Sequence, residues 1–191
     1  MTSTPPPSST VEPLRDVSEL MALLRRAAHV LDADRVDSLA HALQCAEVLR
    51  QRHPDDLELQ IAGLVHDLGH VAGDVEAHGR AGRVLVEELL GERVAALVEL
   101  HVPAKRYLVT IDAAYHGGLS PTSVATLVAQ GGPMTDDEVA AFEAEPHHGD
   151  ALVLRRADEA AKVPGREVPD LDQWEPRLAA LAVVVRDRRR S

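Results

Sequence analysis

From Val17 onward, apolar residues recur at intervals of three and four, the spacing that gives a helix one buried stripe. Leu20, Leu23, Leu24, Ala27 and Ala28 make a first such face, and Leu39, Ala42, Ala46 and Leu49 a second that starts at Asp37-Ser38. A turn at His53-Pro54-Asp55-Asp56 separates this face from a helix predicted over 57 to about 68, stopped by Gly69. Gly73-Asp74 opens a segment that carries Val84, Leu85 and Leu89 and ends at Gly91. The pattern over 94–107 is helical too, with Pro103 expected to kink it or mark a restart. Ser120-Pro121 pairs a capping serine with proline at the first helical position, and Thr135-Asp136-Asp137-Glu138 forms a capping box for a helix through Ala144. Further helices are expected at 150–162 and at about 172–188, with breaks at Gly117-Gly118, Gly131-Gly132-Pro133 and 146–149. Strand-like alternation is scarce. The pattern therefore predicts an all-α chain of eight to ten short helices, one domain over 13–188 behind a disordered Pro-rich lead at 1–12, with no internal repeat.

Composition narrows the function. Aromatic residues make up 2% of the 191, so the core must be Leu, Val and Ala, and few rings are available to stack on bases. A formal charge of −11 leaves no basic face for a phosphate backbone, and nucleic acid is not expected as a partner. No apolar run reaches the ~18 residues of a membrane span, and the first residues have no secretory pattern. Cys45 is the single cysteine, which excludes a disulfide framework and a thiolate zinc cluster. A cytoplasmic protein without membrane contact is expected. Histidine, by contrast, reaches 10, and with abundant carboxylates this points to a metal held by N and O donors.

The sharpest local feature is His66-Asp67, at the end of an apolar helix where an unpaired charged Asp would be costly. Adjacent residues project about 100° apart on a helix, yet at an end loosened by Gly69 both can reach one ion. His41 precedes this pair, His78 and His101 follow, and Asp158 closes a set of four His and two Asp. Beyond His101, Lys105 lies four residues on, at the spacing of one helical face. Ser123, Thr126 and Gln130 fall at i, i+3 and i+7, and Arg155 precedes Asp158 by three. A lysine, an arginine, two hydroxyls and an amide converging near a metal would make a pocket for a tetrahedral oxyanion.

The order His41, His66-Asp67, Asp158 resembles the HD-domain superfamily, and His78 with His101 resembles its members that hold two metals. The strings HVPAKRYL, LSPTSVATLVAQGGPM and LRRADEAAK look like the phosphonate-oxidising branch of the mixed-valent di-iron oxygenases related to myo-inositol oxygenase, over about 38–162. That resemblance implies a single HD-domain helical bundle and a cofactor of two irons, Fe(II)/Fe(III), with dioxygen as co-substrate. His41, His66, Asp67, His78, His101 and Asp158 become the iron ligands, with Asp67 as the bridge. Lys105, Ser123, Thr126, Gln130 and Arg155 become the phosphonate-binding set, and Asp67 and Lys105 the catalytic pair. The implied substrate is a small 1-hydroxylated organophosphonate bearing an amine or ammonium, cleaved at its carbon–phosphorus bond to release phosphate. Members of the branch carry a tyrosine before the first His and a glutamate for the substrate amine. Here Leu31 stands at the first place and Asp34 is the stand-in for the second.

Plainer roles compete. Lys105 could be a solvated helix lysine, Ser123 and Thr126 packing residues, and Gln130 a helix cap. Arg155 is preferred to Arg156 for its i−3 relation to Asp158. His70 reads as a residue behind the ligands or at the surface, His29, His53, His116, His147 and His148 as solvated, and Cys45 as core. Arg186 and Arg188–Arg190 read as a solvated tail. The rival activity is a metal-dependent phosphohydrolase acting on a nucleotide or phosphomonoester, with metals activating water.

Overall fold

The computed structural model describes residues 11–28, 36–72 and 77–190, and every element within them is helical. Ten α-helices run in order among the described residues: α1 (Val17–Ala27), α2 (Ser38–Arg52), α3 (Leu57–Val65), α4 (His78–Leu90), α5 (Glu92–Ile111), α6 (Ala113–Gly117), α7 (Pro121–Ala129), α8 (Asp136–Glu143), α9 (His148–Ala160) and α10 (Glu175–Arg190). Short 3-10 turns occupy Leu68–Ala72 and Leu171–Gln173. The expected disordered lead lies outside the described residues except for Val11 and Glu12, as do Leu31 and Asp34.

Side-chain caps start most of the helices where the sequence places them. Asp16, Asp37, Asp56 and Ser120 each accept a backbone N–H of the first turn, satisfying donors that would otherwise be orphaned. Thr135 and Glu138 form the reciprocal capping box of α8. Three departures from expectation bear on the site. Helix α3 stops at Val65 rather than near 68, and the chain tightens into a 3-10 turn, which leaves His66 and Asp67 at the junction. Helix α9 starts at His148, before the 146–149 break should have ended, because the carbonyl of His147 already accepts the N–H of Ala151. Helix α5 runs unbroken through Pro103. Full burial of Leu97, Val98, Ala104 and Leu108 around it offsets the ~3 kcal/mol that an interior proline costs.

Helix α5 is the hub of the fold, packed against α4, α3 and α9, while α2 lies across α3 and α9. Leucine and small residues fill the core, with Leu20, Leu49, Ile61, Leu64, Leu90 and Leu154 essentially inaccessible. Two glycines permit the closest approaches to the backbone of another element. A Cβ on Gly79 would stand 2.9 Å from the carbonyl oxygen of Glu99, which Pro103, lacking an N–H, leaves without its helical donor. A Cβ on Gly69 would land on the backbone carbonyl of His78, so only glycine lets the 3-10 turn lie against the start of α4.

Candidate active site

Four helices and one junction converge on a single polar cluster inside this apolar bundle. His41 comes from α2, His66 and Asp67 from the α3 junction, His78 from the first residue of α4, His101 from mid-α5 and Asp158 from α9. The four histidines and Asp158 are each at least 95% buried, and Asp67 is 28% exposed on its side chain. Nε2 of His41 lies 3.2 Å from Nε2 of His66, and Nε2 of His78 lies 3.0 Å from that of His101. Nδ1 of His66 donates to the carbonyl of Gly63 at 2.9 Å, and Nδ1 of His101 to that of Val98 at 2.6 Å. Those bonds fix both rings with Nε2 turned inward, the arrangement by which a ligand histidine is oriented through its far nitrogen.

Asp67 stands between the two histidine pairs. Its Oδ2 is 3.3 Å from His66 Nε2 and 3.6 Å from His41 Nε2, while its Oδ1 is 3.5 Å from His101 Nε2 and 3.8 Å from His78 Nε2. Asp158 completes the first set, with Oδ1 3.2 Å from His41. Paired ring nitrogens this close either share a proton or share a cation, and borderline divalent ions suit such imidazole–carboxylate donors. His41, His66 and Asp158 form one group able to hold an ion, and Asp67, His70 and His78 another. His70, expected behind the ligands or at the surface, sits at the edge of the second set. Its ring stacks on His78 at 3.8 Å and its Nε2 is 3.7 Å from Asp67 Oδ1.

The charges support one another. Burial resists ionisation of Asp67 and Asp158, but His66 beside the first and Arg155 with Lys162 beside the second hold both well below the usual carboxylate range. Burial likewise opposes the His66 imidazolium, yet Asp67 and Asp158 outweigh it and raise the group to about 9 in the metal-free protein. His101, buried and facing that charge, is pushed down.

Beside the cluster opens a cavity of about 400 Å³ lined by members of both donor sets other than His66 and by Lys105, Ser123, Thr126, Gln130 and Arg155. Lys105 Nζ donates to Thr126 Oγ1 at 2.8 Å. Burial, with Arg155 nearby, lowers its ammonium to about 7. Arg155 is buried where Arg156 is exposed, which settles their orientation. Its Nε donates to the Tyr115 hydroxyl at 2.7 Å, one terminal nitrogen pairs with Asp158, and the other reaches Glu159 and, at 3.1 Å, Ser123 Oγ. Gln130 turns a buried, unpartnered Oε1 toward this space, as Thr122 does its Oγ1. His53, His116, His147 and His148 lie away from the cluster, Cys45 is fully buried in the core, and Asp34 and His29 lie outside the described residues.

Four residues were not anticipated: Lys162 and Thr122, which line the cavity, and Glu159 and Tyr115, which bond to Arg155. Lys162 Nζ donates to Ser123 Oγ at 2.7 Å and lies 3.4 Å from Asp158 Oδ1. Glu159 Oε1 accepts the N–H of Ser120 at 2.9 Å, and its Oε2 accepts from Ser123 Oγ at 3.0 Å. The signal for these two was present: from Arg155, the positions i+3, i+4 and i+7 are Asp158, Glu159 and Lys162. Thr122 lies four residues before Thr126 on α7, a spacing that also signals one face, whereas Tyr115 belongs to the short α6 and has no such signal.

A family model for myo-inositol oxygenase matches residues 14–81. Hydroxymethylphosphonate dioxygenase of Gimesia maris is 37% identical over 169 residues, 83% of this chain and 84% of that protein. A [1-hydroxy-2-(trimethylamino)ethyl]phosphonate dioxygenase (glycine-betaine-forming) of Leisingera caerulea is 32% identical over 162 residues, 80% of this chain and 82% of its own.

Proposed function

The chain belongs to the phosphonate dioxygenases related to myo-inositol oxygenase, and from that premise we propose a di-iron, dioxygen-dependent enzyme that cleaves the carbon–phosphorus bond of a small 1-hydroxylated organophosphonate. The observation that carries this reading is the division of Asp67, one oxygen toward His41 and His66 and the other toward His78 and His101. One iron would be held by His41, His66, Asp67 and Asp158, the other by Asp67, His78 and His101. Such a pair supplies a binding point for the substrate hydroxyl and the electrons that activate dioxygen.

The protein's own groups do the rest. Arg155, Lys162 and the ammonium of Lys105 neutralise the phosphonate, while Ser123, Thr126 and Gln130 supply directional hydrogen bonds that orient the α-carbon toward the metals. The buried walls keep bulk water from the reacting centre. Overall, a 1-hydroxyalkylphosphonate and one dioxygen give a carboxylate, hydrogen phosphate and a proton. Glycine betaine, named for the Leisingera relative, is a carboxylate product of that kind. That relative also favours an amino- or ammonium-bearing substituent. A cytoplasmic setting, reducing enough to keep one iron ferrous, suits the cofactor.

The test is electron paramagnetic resonance of iron-reconstituted, partly reduced protein, with and without 2-amino-1-hydroxyethylphosphonate or hydroxymethylphosphonate. A coupled mixed-valent signal that changes with the phosphonate is expected, followed by phosphate release when oxygen is admitted. Absence of that signal, together with nucleotide hydrolysis under manganese or cobalt, would replace the oxygenase with the phosphohydrolase.

A further inference from the structure

A second cavity, of about 300 Å³, meets the active site from another side. Its walls are Leu24 and Ala27 of α1, Ala42 of α2, Leu64 of α3 and Leu68 of the 3-10 turn. It shares Ser38, Asp67 and His70 with the phosphonate cavity but touches none of Lys105, Arg155 or Lys162. Leu24, Ala42, Leu64 and Leu68 are buried, and the exposed Arg26 is the one basic side chain among its described lining residues other than His70. The site thus has two lobes joined at the Asp67 carboxylate, one cationic and one apolar.

We propose that the apolar lobe is the entry and holding site for dioxygen. The inference rests on the oxygenase reading above. A dioxygenase must bring together two co-substrates of opposite character. The phosphonate is a hydrated anion and fits the cationic lobe. Dioxygen is small and apolar, gains nothing from those cations, and must reach the metals after that lobe is occupied. A leucine- and alanine-lined space holds water poorly and takes up apolar gases, as engineered apolar cavities take up xenon. Its mouth on the site is Asp67, which reaches both sets of candidate ligands, so gas held there would stand next to the side chains that would hold the metals and apart from Lys105, Arg155 and Lys162.

Two measurements test this on the iron-loaded protein. Crystals pressurised with xenon should show the gas between Leu24, Leu64 and Leu68, and an Ala27→Phe variant should lose it. In steady-state assays with hydroxymethylphosphonate, Ala27→Leu and Ala27→Phe should raise the KM for dioxygen progressively while leaving the KM for the phosphonate and the metal-centre spectrum unchanged. Ala27 ends a helix and touches no ligand, and leucine is a good helix former, so the milder variant keeps the measurement usable if the larger one misfolds. Xenon elsewhere, or an unchanged KM for dioxygen, overturns the proposal. A rise in the phosphonate KM instead assigns the lobe to the substrate's organic substituent and overturns it as well. If no phosphonate elicits oxygen uptake, the oxygenase reading itself has failed, an outcome distinct from uptake with an unaltered KM.

Discussion

Lys105 and Glu159 define the pocket at the scale of single residues. With its ammonium lowered to about 7, Lys105 loses its proton just above neutrality, whereas a phosphonate needs the charged form. Raising the pH through 7 therefore weakens substrate binding, and KM measured on either side of that pH should climb on the alkaline side. A Lys105→Arg variant, charged throughout, should flatten the profile even if its KM is higher overall. Glu159 belongs to neither group able to hold an ion, yet it joins Ser120, the N-cap of α7, and Ser123 to Arg155 and Lys162. In Glu159→Gln one carboxylate oxygen becomes an NH2 facing donors, so either the Ser120 N–H or the group of Ser123, Arg155 and Lys162 loses its acceptor. The expected result is a severalfold rise in phosphonate KM with iron content unchanged; equal loss of iron and activity would mean that Glu159 only supports the fold.

At the scale of elements, the site depends on how closely the 3-10 turn, α4 and α5 approach. Gly69 packs on the backbone of His78, which cannot yield without moving the first residue of α4, itself a candidate ligand. Gly69→Ala should cost about 3 kcal/mol, the upper range for overpacking a tight contact. On the di-iron proposal it should also reduce bound iron from two per chain toward one, because His78 is displaced while His41, His66 and Asp158 lie outside that contact. Thermal unfolding and iron analysis of the same sample check both halves. Thr135→Ala serves as a control, since the cap of α8 is far from the ligands: about 1 kcal/mol of stability should go, with iron retained.

At the scale of the whole molecule, the buried cluster makes stability depend on metal and pH together. Without metal, His66 has a folded value of about 9 against an ordinary 6.5. A raised folded value means that its contribution is fully present below about 6.5 and disappears as the pH rises through about 9. Metal-free protein should therefore melt at falling temperatures across that interval, and iron uptake, which displaces protons from the cluster, should strengthen with pH over the same range. Calorimetry of the apo and iron-loaded forms separates the two, because a metal held by the folded state alone removes the decline. Most of the helices and their caps were legible from the chain itself, because helical period and capping side chains are local properties of consecutive residues, whereas the order of candidate ligands was legible only through its resemblance to a known pattern. The spacings of Lys105 from His101 and of Arg155 from Asp158 were legible too, and both side chains line the cavity. What only the tertiary structure decided was whatever depends on residues far apart in sequence. These are the facing of the two histidine pairs, the split of Asp67 between them, the join through Glu159, the position of His70 and the apolar lobe between α1 and α3. Period and spacing fix which face of a helix a side chain occupies, whereas the distance between two faces is set by packing, and here by glycines that no local pattern distinguishes from ordinary stops.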